Sequence, residues 1–418
     1  MTYEIMESAD SLHGRLQRGL GGAVHQALKE SGAGDLVYDC ISRDPRGDSM
    51  ESRGLYYARL VVDLGLPFDP IVTHLFETEA TGNGCEPTSL AIDVLMTLVQ
   101  LGYRRAGEHL HRYVCKGANW EEALGALFFL GDPTLMEGLD EMLLSEIDND
   151  ESIPDILGSP DNDAMRAWIQ ARPRIAQAYE NEQAHRRQFR HRPRPSLEHL
   201  SDEELYGIAT GTGPAVNGAL VELGNRGDLR ALRLVQQLYS KNPITHSSIT
   251  TTVIDSLGEK LLPMARAWVA KPNIGMEHGY RILAKHGTLG DAPALVDGVT
   301  AIVQNDKWPR SLFALVDALT RLPVLDSLPI LGEAWRTTRI SSLRRQILEA
   351  IHRIDPSSAA PYAEEGLWDC ESMTRRLAAT LTPLHDVTLE RLALLRDDPA
   401  EDLDVQDAAA ERLDPAIR

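Results

Sequence analysis

Apolar residues recur along this chain at intervals of three and four, and strictly alternating runs are scarce. That period predicts amphipathic helices and little sheet. Leu12, Leu16, Leu20 and Val24 make one stripe, so a single helix is expected over Ser11–Ser31, stopped by Ser31-Gly-Ala-Gly34. Further along, Leu312, Leu315, Val316 and Leu319 form a second stripe, and Leu343, Ile347, Ile351 and Ile354 a third. The clearest unit is Glu277–Val303: a helix, a Gly-rich turn closing on Asp291, and a second helix with Pro293 in its first turn. Proline is tolerated there because the N–H it lacks would have no intrahelical partner. Pro263 and Pro329 stand in the same place in their units, whereas Pro361 falls later and is expected to start or kink its helix.

The turns between helix pairs are spaced regularly. Asp35, Asp69, Gly102 and Asp132 lie 34, 33 and 30 residues apart, and Asp228, Gly258, Asp291, Asp326, Asp355 and Asp386 lie 30, 33, 35, 29 and 31 apart. A period in the thirties is the signature of a helical array, in which each pair has more apolar face than it can hide alone. Between the two runs, Ser145–Asn162 is acidic and turn-rich. A helix over Ala164–Gln188 then leads into the basic run HRRQFRHRPRP. The expected division is therefore an arm over 1–144, an acidic and basic insertion over 145–200, and a second arm over 201–418.

Composition narrows the function. The formal charge is −20, which disfavours nucleic acid as a partner because phosphate binding needs a basic face. Four cysteines stand far apart with no C-x-x-C pair, so neither a disulfide framework nor a metal site is expected. The first ten residues lack the basic and apolar regions of a secretory signal, and Ala123–Gly131, the most apolar run, is far short of the roughly 20 residues that span a bilayer. A cytoplasmic protein with no membrane partner is expected. No P-loop, H-E-x-x-H, G-x-S-x-G or dinucleotide fingerprint occurs in a usable context, so no cofactor is implied.

Thr374–Leu381 (TRRLAATL) and Leu343–Ile351 (LRRQILEAI) share an Arg pair followed by an apolar run, and GDAPALV and LDSLPIL open second helices with an Asp-to-Pro pattern. In these features the chain resembles HEAT-like repeats, well over Ser201–Pro399 and loosely over Gly34–Leu144, with uneven spacing and a long interruption as departures. The resemblance implies an all-α fold: a right-handed α-solenoid of stacked helix pairs whose second helices line a concave face. It also implies a non-enzymatic scaffold or adaptor that holds a protein or peptide. The alternative is an enzyme on the same architecture. Alkylpurine DNA glycosylases and bilin lyases resemble it, but the first would need a basic groove and the second a pigment partner.

Candidate binding residues each have two readings. Trp268, Trp335 and Trp368, with Tyr239 placed similarly, would form an aromatic ladder on the concave face or wedge neighbouring repeats apart. Arg344-Arg345 and Arg375-Arg376 recur 31 residues apart and would stack as a basic stripe, or face solvent with one Arg and bridge repeats with the other. Arg186, Arg187 and Arg190 would dock an acidic partner or an RNA, or simply end an exposed helix. Asp44, Asp48, Glu51, Arg53, Tyr56, Tyr57 and Arg59 would converge on a cleft, although an Arg59–Asp63 pair at i,i+4 already accounts for two residues of that segment as a surface pair.

Overall fold

Every regular element among the described residues is helical, in a computed structural model that describes residues 6–46, 51–79, 87–149, 163–190, 196–241, 243–270, 276–305 and 311–414. The chain folds as two units. The first comprises Met1–Arg192, Arg336–Leu348 and Ser357–Arg418; the second comprises Pro193–Trp335 and Glu349–Pro356. Residues early and late in the sequence thus share one unit, and the division into arms by sequence position cuts across it.

Local signals place many helices where the apolar period predicts them. Trp120–Leu130 ends at Gly131, whose φ of 67° is the left-handed conformation a helix C-terminus commonly requires. Pro263 and Pro293 lie in the first turns of Leu262–Val269 and Ala292–Gln304, and Pro329 is the second residue of Leu328–Thr337. Pro361 lies inside Pro356–Gly366.

Two predicted helices are each split, for identifiable reasons. The expected helix over Ser11–Ser31 is two, Leu12–Gln17 and Gly21–Ala27, separated at Gly19 with φ 67°. The Gly19 carbonyl accepts from the Cys370 backbone N–H at 3.0 Å, and a Cβ at Gly19 would meet Cys370 Sγ at 2.3 Å. That close approach needs glycine, and it breaks the stripe. The helix expected over Ala164–Gln188 is likewise two, Asp163–Gln170 and Pro173–Arg190. Pro173 starts the second because its ring cannot sit in a helix interior. From this stretch, expected as a spacer, Met165, Trp168, Ile169 and Ile175 enter the core of the first unit beside Leu124 and Phe128. Trp168 meets Phe128 edge-on at 5.8 Å.

In the second unit, Met276–His286 packs against Leu262–Val269 and Ser311–Arg321. Tyr280 lies over Gly298, where a Cβ would fall 2.8 Å from its ring. Arg321 closes the end of Met276–His286 by donating to the carbonyls of Leu283, Ala284 and Gly287 at 3.1, 2.9 and 2.9 Å. Leu283 already accepts from the Gly287 N–H at 2.8 Å, while for Ala284, in the last turn, the guanidinium replaces a donor that the helix lacks. Asp291 binds the turn that follows: it accepts from the Thr288 N–H at 2.8 Å and from Arg266 at 2.7 and 3.0 Å. Those hydrogen bonds, Arg266 first, hold its carboxyl down at about 2. Asp291→Ala is expected to destabilise the second unit by about 1–2 kcal/mol, a capping loss, with half-exposed Arg266 adding little through solvent. Urea unfolding of the variant would measure it; an unchanged midpoint would show that the turn holds without its carboxylate.

Candidate functional site

A set of buried charged groups lies inside the first unit. Arg53 precedes the helix Gly54–Asp63 and is fully buried. Its Nη2 donates to Glu51 Oε2 at 2.6 Å, and its Nη1 to the carbonyl of Gln17. The next turn adds two phenols: Tyr56 donates to the Leu20 carbonyl at 2.9 Å and Tyr57 to that of Leu16 at 2.8 Å. Of the predicted cluster, Glu51, Arg53, Tyr56 and Tyr57 come together, the last three on backbone carbonyls of the broken N-terminal helix pair, and Tyr56 and Tyr57 are buried rather than open to a ligand.

Residues from late in the sequence complete this set. Arg344 Nε and Nη2 grip Asp369 at 2.5 and 3.0 Å, and neither side chain is exposed. Arg375 grips Glu401 at 2.7 and 2.6 Å and donates through Nη1 to the carbonyls of Asp369 and Cys370 at 2.7 Å each. Ser341 Oγ lies 2.6 Å from Glu51 Oε2 and 2.6 Å from Glu371 Oε1. Burial pushes the thiols of Cys40 and Cys370 up to about 12, so neither supplies a thiolate nucleophile at neutral pH. Burial likewise takes Tyr56 and Tyr57 well above the ordinary phenol range.

A second cluster surrounds Arg46, which bonds Asp44 at 2.8 and 2.6 Å and Asp93 at 2.7 Å. Burial raises the Asp93 carboxyl to about 6 against the opposing pull of Arg46. Two open grooves lie at the surface. One, of about 310 Å³, is lined by Asp35, Tyr38, Asp39, Ser42, Pro70 and His74, from the helices Ala33–Arg43 and Asp69–Glu77. On its rim Asp39 pairs with His13 and Arg43, each at 2.9 Å, while Asp35 is exposed. Burial and the charges of Asp69 and Asp35 raise the Tyr38 phenol, which donates to the Pro67 carbonyl at 2.6 Å. The other groove, of about 350 Å³, runs beside Met373, Arg376 and Leu403.

The candidate residues fall in different places. Arg344 and Arg375 are not a basic stripe on the surface: both are buried and paired. Arg345 is half-buried, and exposed Arg376 reaches Asp404 at 3.3 Å. Arg53 is buried, and Arg59 pairs with Asp398 at 2.9 Å rather than forming the i,i+4 pair with Asp63. Of the tryptophans, Trp335 is buried and Trp268 half-buried in the second unit, while half-buried Trp368 belongs to the first. Trp368 meets His25 edge-on at 4.4 Å and lies 5.3 Å beneath Arg391. Arg187 is exposed on Pro173–Arg190; the side chains of Arg186, Arg190 and Tyr239, and all of Asp48, lie outside the described residues.

Sequence reading did not single out Asp369, Glu371, Glu401 or Ser341. One signal was present. Arg344 stands three, four and seven residues before Ile347, Leu348 and Ile351, and Arg375 stands likewise before Ala378, Ala379 and Thr382, all of them buried. That spacing puts each first arginine on the apolar face of its helix. No known protein family, curated protein or solved structure matches the chain.

Proposed function

We infer that the protein is a non-enzymatic binding scaffold of the cytoplasm, an α-solenoid of HEAT-like helix pairs that holds a basic peptide segment of a partner protein. The observation that carries this reading is the groove between Ala33–Arg43 and Asp69–Glu77, where Asp35 and Asp39 flank Tyr38 and His74. A lysine or arginine side chain entering it would meet the exposed Asp35 carboxylate for its charge, beside Asp39, which Arg43 and His13 already bond, and a phenol ring for its stem. The net charge of −20 adds a field that attracts basic partners and repels acidic ones. Arg53, Arg344 and Arg375 are held by internal carboxylates and offer no positive charge to an acidic partner.

Fluorescence anisotropy with a labelled lysine-rich peptide and a glutamate-rich control tests the reading. The basic peptide is expected to bind at low salt and to weaken as salt rises, with the control silent. Asp35→Asn with Asp39→Asn is expected to weaken binding about tenfold, the loss of roughly 1.4 kcal/mol. Equal binding by the double variant would place the partner elsewhere, and no binding at low salt would remove the basic-peptide reading.

A further inference from the structure

The Glu51–Ser341–Glu371 bridge holds two carboxyl groups on one hydroxyl. Ser341 Oγ is 2.6 Å from Glu51 Oε2 and 2.6 Å from Glu371 Oε1, and all three side chains are buried. A serine hydroxyl carries a single hydrogen. It can donate to one carboxylate, and the other contact is a hydrogen bond only if that carboxyl supplies the proton. Two ionised carboxylates would leave one lone-pair contact at 2.6 Å in a buried site, which is repulsive.

The surroundings decide which carboxyl holds the proton. Glu51 accepts from Arg53 Nη2 at 2.6 Å, as an ionised carboxylate does. Glu371 has no guanidinium bond of its own. Its backbone N–H is turned to Asp369 Oδ1 at 2.9 Å, and its carbonyl accepts from the N–H groups of Thr374 and Arg375. Although Glu371 stands at the N-cap of Ser372–Leu381, its side chain does not cap that helix. Of the neighbouring arginines, Arg375 grips Glu401 and Arg344 grips Asp369 through Nε and Nη2, while the buried Nη1 of Arg344 makes no hydrogen bond to Glu371 or to any other group among the described residues. The carboxylate partners of Arg53, Arg344 and Arg375 are Glu51, Asp369 and Glu401, so none of these three pairs includes Glu371. An ionised Glu371 would be a buried carboxylate with no guanidinium bonded to it.

We propose that Glu371 is a neutral carboxylic acid that donates its proton to Ser341 Oγ, and that Ser341 in turn donates to Glu51, making this bridge a proton-dependent clasp between segments far apart in the sequence. The groups facing Glu371 agree. Burial raises its carboxyl, and Asp369 and Glu51 add to the rise, against the pull of Ser341 and Arg344. Glu51 moves the other way: burial raises it, but Arg53, Ser341 and Arg344 together bring it below the ordinary value. Because folded Glu371 holds its proton more tightly than unfolded Glu371, the clasp is complete at acid pH. Its contribution is lost as pH rises through the raised value, when the proton leaves for solvent.

The test is thermal unfolding of the full chain from pH 5 to pH 9, with Glu371→Gln beside the unaltered protein. The amide is a neutral donor at every pH. The melting temperature of the unaltered protein is expected to fall by about 2–4 °C more than that of the Gln variant across this range. Infrared spectra at pH 7 should show a protonated carboxyl stretch that disappears in Glu371→Gln. Parallel pH profiles, a carboxyl stretch unchanged by the substitution, or a Gln variant that does not fold would each overturn the proposal.

Discussion

Asp369→Ala is expected to destabilise the first unit by about 3–5 kcal/mol, read as a shift in the guanidinium or urea midpoint. The magnitude follows from what remains. Arg344 is fully buried and takes both of its short carboxylate bonds from Asp369, so the variant strands a guanidinium away from water. The loss also reaches Glu371, whose backbone N–H would lose the Asp369 carboxylate. Adding Arg344→Met to Asp369→Leu is expected to recover most of the stability. Removing both charges also removes the desolvation they impose, whereas either single change does not. If the double variant were no better than the singles, the two side chains would not be acting as a pair.

Trp335→Ala is expected to destabilise the second unit by about 3–5 kcal/mol, because a side chain only 2% exposed leaves a cavity that its neighbours cannot fill. Trp268→Ala serves as the comparison. Trp268 is half-buried, so its loss is expected to be markedly smaller. Equal effects at both positions, measured by chemical denaturation, would mean that burial does not separate the two tryptophans. The distinction bears on function as well, since a side chain as hidden as Trp335 cannot serve as a ladder rung for a ligand.

Helices were legible in the sequence where their causes are local. Gly131, which ends Trp120–Leu130, and the prolines at 263 and 293 act within one turn of themselves, so they bound their helices by local geometry. The break at Gly19 was not legible, because its cause is Cys370, which comes against it only in the folded chain. The same holds for charge. Arg344 and Arg345 look alike as a dipeptide, and what separates them is a carboxylate 25 residues later for Arg344. Arg375 finds its carboxylate 26 residues later. A helical wheel drawn through Ile347, Leu348 and Ile351 would have shown Arg344 pointing inward, but it could not have named the partner. The acidic groove was half legible: Asp35 reads as a helix-starting residue, and its convergence with His74 depends on how two helices pack.

The Glu51–Ser341 bond joins residues 290 positions apart. During synthesis at about 5–20 residues per second, Glu51 and Arg53 therefore leave the ribosome about 15–60 s before Ser341 exists to meet them. Through that interval Glu51 lacks the Ser341 hydroxyl, although the apolar cluster that takes up Tyr56 and Tyr57 is drawn from residues 12–175 apart from Cys370 and is already present in the chain. The second unit, nearly all of it encoded in between, has most of its sequence available to fold before the first can close. Closing the polar cluster thus waits on residues that emerge late, while the apolar cluster beside it does not.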